Sequence, residues 1–273
     1  MIPAVRRVPR LVCTADSVQT GERAIPEETP VAIVHNGSTY AVMMATPADL
    51  EDFGVGFSLT EGVIADPSEI EGLETLEFDD GIEVRLWLDG TRSAQAADRR
   101  RRLAGPTGCG LCGVESLEIA VRAARQVPVG RTFTAAEIAA AIASLRPAQA
   151  LNVETRAVHA AGYWEPGAGL VAIREDVGRH NALDKLAGHI ARSTRPASDG
   201  IVLLTSRVSI EMVQKTAMLG SPVLVAVSAP TALAVRTAEA AGITLVAVAR
   251  DDGFEIFTHP HRVTKTDRTT HVA

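Results

Sequence analysis

The chain has 273 residues, which at about 100–200 residues per domain allows one large domain or two modest ones. Apolar residues make up 46% and charged residues 22%, a balance that excludes wholesale disorder. With 27 Lys+Arg against 33 Asp+Glu the net charge is -6, which argues against a protein that coats nucleic acid, because phosphate binding needs a positive surplus.

No apolar run approaches the roughly 20 residues needed to span a bilayer, so no membrane partner is expected. The first stretch carries Arg6, Arg7 and Arg10 but is broken by Pro3 and Pro9, so it does not read as a secretory signal. Three cysteines cannot form a disulfide framework, and the odd count suggests a reducing, cytoplasmic setting.

Residues 1–28 are polar, with Pro and Glu clusters, and read as a disordered arm that includes Cys13. Residues 29–108 read as a smaller N-terminal α+β part. In it, two apolar runs at 31–35 and 39–44 flank Asn36-Gly37, a hairpin signal because both turn residues tolerate positive φ. Thr46-Pro47-Ala48-Asp49 then reads as an N-cap, and Leu50, Phe53 and Phe57 follow at helical spacing. Residues 83–88 alternate as a half-buried strand. The pattern lapses through Arg99-Arg100-Arg101-Arg102, which reads either as a solvated loop or as a docking run. Helices are expected near 114–125 and, capped by Thr134 with Glu137, near 135–145.

Residues 109–273 read as an α/β domain. Short apolar strands at 170–173, 201–204, 223–227 and 244–249 alternate with helices near 181–193, 210–219 and 231–241. Right-handed crossovers place the strand ends at one edge, the usual place for a ligand in such sheets. Those ends run into Arg174-Glu175-Asp176, Thr205-Ser206-Arg207, Ser228-Ala229-Pro230 with Thr231, and Arg250-Asp251-Asp252-Gly253. Hydroxyls and guanidinium groups suit phosphates, although Ser, Thr and Asp also serve as plain helix caps.

Gly108-Cys109-Gly110-Leu111-Cys112-Gly113 is the outstanding local feature. Two cysteines three apart, in a glycine-rich loop opening a helix, suit a thiolate nucleophile or sulfur carrier. Two zinc ligands or a redox pair are alternatives. Zinc lacks two further ligands, His159 being the nearest partner, and a zinc deaminase would need H-x-E before P-C-x-x-C. A second dense stretch, residues 174–185, has seven ionisable side chains in twelve positions. It reads either as a solvated helix start, capped by Asp176 or Asn181 with Asp184 and Lys185 facing water, or as a loop in which His180 acts as an acid/base or positioning group.

The blocks at 107–113, 174–185 and 205–215, together with 57–62, 227–235 and 258–260, resemble the signature blocks of the FdhD family of formate dehydrogenase accessory proteins. The resemblance implies a cytoplasmic sulfurtransferase with a cytidine-deaminase-like, three-layer α/β fold that acts as a homodimer. Its sulfur would come from a cysteine desulfurase as a persulfide. The acceptor would be the molybdenum cofactor, bis(molybdopterin guanine dinucleotide), bound transiently before insertion into formate dehydrogenase. By motif, Cys109 matches the persulfide-carrying cysteine and Cys112 its auxiliary companion, with no metal. The cofactor would touch Val248, Ala249, Arg250, Asp251, Asp252 and Gly253, and also Thr205, Ser206, Arg207, Ser228 and His180. The chain departs from the family pattern at Arg156, where glycine is usual, and at Gly253, where a basic residue is common. Readings that do without this resemblance are a cofactor-binding chaperone and a structural zinc module.

Overall fold

The computed structural model describes residues 2–89, 123–250 and 252–264. In chain order the strands are β1 (Val5–Cys13), β2 (Val18–Pro26), β3 (Thr29–His35), β4 (Ser38–Ala45), β5 (Ile70–Phe78), β6 (Gly81–Leu88), β7 (Phe133–Thr134), β8 (His159–Glu165), β9 (Gly169–Asp176), β10 (Ile201–Leu204), β11 (Val223–Ala226), β12 (Thr244–Arg250), β13 (Gly253–Ile256) and β14 (Val263–Thr264). The helices are α1 (Leu50–Thr60), α2 (Ala135–Ala148), α3 (Ala150–Thr155), α4 (Arg179–Arg192), α5 (Ile210–Leu219) and α6 (Ala232–Ala241). The fold is α/β.

Two compact units are interleaved along the chain. One is built from Met1–Arg122, Gln149–Ala161 and Arg174–Ser193, and the other from Ala123–Ala148, Gly162–Ile173 and Thr194–Ala273. A linear division at residue 108 is therefore replaced. The reason is long-range: α4, late in sequence, packs on α1. A Cβ added to Gly56 would lie 1.7 Å from the Asp184 carbonyl oxygen, and one added to Gly188 would lie 1.9 Å from the Asp52 carbonyl oxygen. Only glycine permits backbones so close, and periodicity does not report such pairing.

In the first unit a four-stranded sheet has the order β4-β3-β6-β5. Its hairpin turn is the expected one, with Asn36 at φ 47 and Gly37 at φ 76. Phe53, Val55 and Phe57 of α1 close a core with Val31, Ile33, Val84 and Leu86. Thr46 does not cap α1, whose N-cap is Asp49 without a side-chain bond. The Thr46 hydroxyl instead accepts from Val177 N–H at 3.1 Å. Residues 5–26 are no disordered arm: β1 and β2 pair antiparallel over their full length, with Cys13 exposed near the turn. Both faces of this ribbon are largely solvated, so the alternation that usually marks a strand is missing from the sequence.

The second unit holds β10 to β13, which belong with β8 and β9 to a six-stranded sheet of order β13-β12-β11-β10-β8-β9; only Gly162–Glu165 of β8 and Gly169–Ile173 of β9 fall in that unit. Strands β10, β11 and β12 are mutually parallel, as the apolar runs suggested, and β13 returns antiparallel to β12. Residues on both faces of β10 and β11 are buried, which is why these strands read as continuous apolar runs. Ile138, Ala141, Ile142 and Leu145 of α2 join Ile201, Leu203, Val223, Val225 and Val246 in one core. Thr134 and Glu137 form the expected capping box: Thr134 N–H donates to the Glu137 carboxylate at 2.7 Å and Glu137 N–H to the Thr134 hydroxyl at 3.1 Å. The expected helix near 114–125 lies mostly outside the described residues, and 123–125 are not helical.

The block at 258–260 is structural. Thr258 Oγ1 accepts from Leu245 N–H at 2.9 Å and donates to the Ile243 carbonyl at 2.6 Å. Nearby, the buried Arg262 donates to the carbonyls of Gly242 and Val129, both at 2.8 Å, closing the end of α6.

Candidate rim site and the families it resembles

The parallel strands of the second unit end on a polar rim. After β10 come Thr205, the buried Ser206 and the exposed Arg207; after β11 come Ser228 and Ala229; β12 ends in Val248, the buried Ala249 and the exposed Arg250, and Asp252 and Gly253 follow, both exposed. Backbone bonds stitch the three loops together. Val227 N–H donates to the Leu204 carbonyl at 2.9 Å, Val208 N–H to Ala229 at 3.3 Å, Thr231 N–H to Val208 at 2.9 Å, and Val248 N–H to Ser228 at 3.3 Å. The rim is therefore a braced surface rather than three independent loops.

Its donors are unequally available. The Thr231 hydroxyl is spent as the N-cap of α6, accepting from Ala234 N–H at 3.1 Å. Ser206 Oγ donates to the Arg207 carbonyl at 3.1 Å. At the start of α5, which follows the β10 loop, Ser209 Oγ at the N-cap and Glu211 Oε2 in the first turn are buried with no hydrogen-bond partner among the described residues, and neither stands out in the sequence. Ser209 occupies the N-cap of α5, yet its hydroxyl makes no capping bond.

The 174–185 block sits in the first unit, and much of it is spoken for. Arg174 forks onto Asp52 through Nε at 3.0 Å and Nη2 at 2.6 Å, and the same Nη2 lies 2.7 Å from His189 Nδ1. Glu175 accepts from Leu151 N–H and Asn152 N–H, both at 2.8 Å, at the start of α3. Asp184 accepts from the Thr60 hydroxyl at 2.6 Å. Lys185 and Asp176, with no exposed side-chain surface, form a 2.7 Å ion pair. Thus Asp184 and Lys185 do not face water, and Arg174-Glu175-Asp176 is no free strand end. These charges are buried because each finds a counter-charge or a hydrogen-bond donor, most of them on segments remote in sequence.

His180, in the first turn of α4, is buried in that same unit. His159 opens β8 half-buried, and burial first, then the Arg179 guanidinium, holds its imidazole below the usual histidine range. Arg156 ends α3 in the left-handed conformation at φ 60, a backbone that favours glycine. Among the described residues no group of three His, Cys, Asp or Glu could hold a metal. Cys109, Cys112, Asp251 and the Arg99–Arg102 run lie outside the described residues.

These features define an α/β protein with a braced, hydroxyl- and guanidinium-bearing rim at the ends of parallel strands. Residues 26–264 match the model of the FdhD/NarQ family, and the chain belongs to that family. It is 56% identical over 259 residues to the sulfur carrier protein FdhD of Agrobacterium fabrum, covering 94% of this chain and 96% of that one. The Brucella abortus protein of the same name is 53% identical over the same shares of each chain. A crystal structure of a protein assigned as a formate dehydrogenase accessory protein from Desulfotalea psychrophila superposes with a TM-score of 0.77 at 27% identity, covering 96% of this chain and 100% of that one. Among the described residues no helix is long and apolar enough to cross a membrane.

Proposed function

We propose that the protein is a sulfur carrier for formate dehydrogenase, a cytoplasmic sulfurtransferase in which Cys109 holds sulfur as a persulfide. The carrying observation is the glycine-flanked Cys109-Gly-Leu-Cys112 sequence in a chain 56% identical to a sulfur carrier protein. The Cys109 thiolate attacks the terminal sulfur of a cysteine desulfurase persulfide. A new S–S bond forms on Cys109 as the donor's S–S bond breaks, and the donor cysteine leaves as a thiolate. No external oxidant is needed.

The acceptor is the molybdenum of bis(molybdopterin guanine dinucleotide), a substrate delivered onward to formate dehydrogenase. Residues 250–253, with Thr205, Ser206, Arg207 and Ser228, would take its phosphates, while Val248 and Ala249 carry the backbone into this stretch. Support comes from the exposed guanidinium groups of Arg207 and Arg250 on the braced rim, since planar forks suit phosphate oxygens. Cys112 is assigned as an auxiliary thiol, and the acting form as a homodimer.

The test is Cys109→Ala in cells that need formate dehydrogenase. The variant is expected to fold and to bind cofactor, yet to leave formate dehydrogenase inactive. Normal enzyme activity would overturn the carrier role and leave a cofactor-binding chaperone in its place.

A further inference from the structure

We propose that Val248 is a positioning residue, whose left-handed turn sets the face on which Arg250 meets the rim. Strict alternation along β12 would put Val246, Val248 and Arg250 on one face of the sheet. The pairing with β13 interrupts that alternation. Ala247 stands opposite Glu255 but Arg250 stands opposite Gly253, so Val248 and Ala249 together face the single residue Phe254. This is a one-residue β-bulge. Beyond it Ala249, 1% exposed, shares the hydrophobic cluster of Val246, while Arg250 is exposed. Arg250 thereby falls on the opposite face from the one the sequence spacing assigns.

The bulge is held under strain. Val248 has φ 52, and a β-branched side chain is a true outlier in that region. Such strain persists only where the surroundings over-determine the conformation, and it gathers at functional sites. Here the brace is visible: Val248 N–H donates to the Ser228 carbonyl of the neighbouring rim loop at 3.3 Å. The backbone turn, not the isopropyl group, is what Arg250 depends on.

The proposal rests on reading this rim as the site of a phosphate- and guanine-bearing cofactor, so the probe is guanosine diphosphate, which presents both groups. Titration of the full-length protein is compared among wild type, V248G, R250A and the double variant V248R/R250A. Glycine adopts the same turn without strain, so V248G is expected to bind within about 2-fold of wild type and to melt about 2–4 °C higher. R250A is expected to bind at least about 10-fold more weakly, the worth of a lost charge-assisted contact. V248R/R250A is expected to stay as weak as R250A, because positions 248 and 250 do not share a face. Recovery of affinity in the double variant would overturn the proposal, since it would mean regular alternation. Loss of binding in V248G alone would also overturn it, by assigning the effect to the side chain. If wild type does not bind the probe, the cofactor reading of the rim fails instead. The V248G melt then decides the bulge: a rise upholds the strained turn, and an unchanged or lower melting temperature overturns it.

Discussion

Replacing Asp176 by asparagine tests how much of the 174–185 block is architecture. Asp176 accepts four hydrogen bonds: from Lys185 Nζ at 2.7 Å, Thr46 N–H at 2.9 Å, Gly178 N–H at 2.7 Å and Asn181 Nδ2 at 2.9 Å. Asparagine retains the oxygen facing Gly178 and Asn181. On the other side it sets an amide NH2 against two donors, the Thr46 N–H and the ammonium of Lys185. Lys185 has no exposed side-chain surface, and its other acceptor in this cluster is the Thr46 carbonyl at 2.9 Å. Removing one partner of a buried pair typically costs about 3–5 kcal/mol, because the remaining charge is left uncompensated. Lys185→Met is expected to cost less, about 1–3 kcal/mol, since the carboxylate keeps three N–H donors that stabilise its charge. Urea unfolding followed by far-ultraviolet circular dichroism gives both values. An Asp176→Asn variant within about 1 kcal/mol of wild type would refute the buried-pair reasoning.

Two further outcomes follow from single residues. His35 is buried, with Nε2 2.8 Å from the Ser58 hydroxyl, and burial pushes its pKa down from 6.5 to about 4. Between those values the unfolded chain binds a proton that the folded protein refuses, so this site's contribution to stability falls as pH drops from 6.5 towards 4, by about 3 kcal/mol in all. His35→Gln should flatten that part of the pH–stability curve, and an unchanged slope would contradict the assignment. Arg156→Gly should raise stability by about 1 kcal/mol, because the left-handed turn ending α3 carries a side-chain penalty that glycine lacks. A lower urea midpoint would contradict the observed backbone.

Legibility in the sequence varied with how local the cause was. Ile201–Leu204 and Ile210–Leu219 are expected and found at the same residues, since an unbroken apolar run and a helical stripe with Gly220 behind it need no distant partner. The Asn36-Gly37 hairpin is local in the same sense. The β1–β2 ribbon was illegible because solvent wets both its faces and Pro9, a residue that sequence rules place outside strands, sits within β1. Asp184 and Lys185 looked like solvated charges because Thr60, which bonds Asp184, and Thr46, which bonds both Lys185 and its ion-pair partner Asp176, lie more than a hundred residues away. The rim was legible as a set of strand ends, yet the bulge at Val248 that turns Arg250 depends on β13, whose pairing no spacing rule reports. Arg156 illustrates the reverse case: a departure from the family pattern noticed in sequence acquires its meaning only from a backbone angle.

The central claim is most directly tested by incubating the purified protein with a cysteine desulfurase and L-cysteine, then measuring intact mass and mapping the peptides. The account predicts a gain of one sulfur atom, removable by thiol reductant and located on the peptide containing Cys109, with no gain in Cys109→Ala. Sulfur found only on Cys13, or a wild-type protein that gains none, would contradict it.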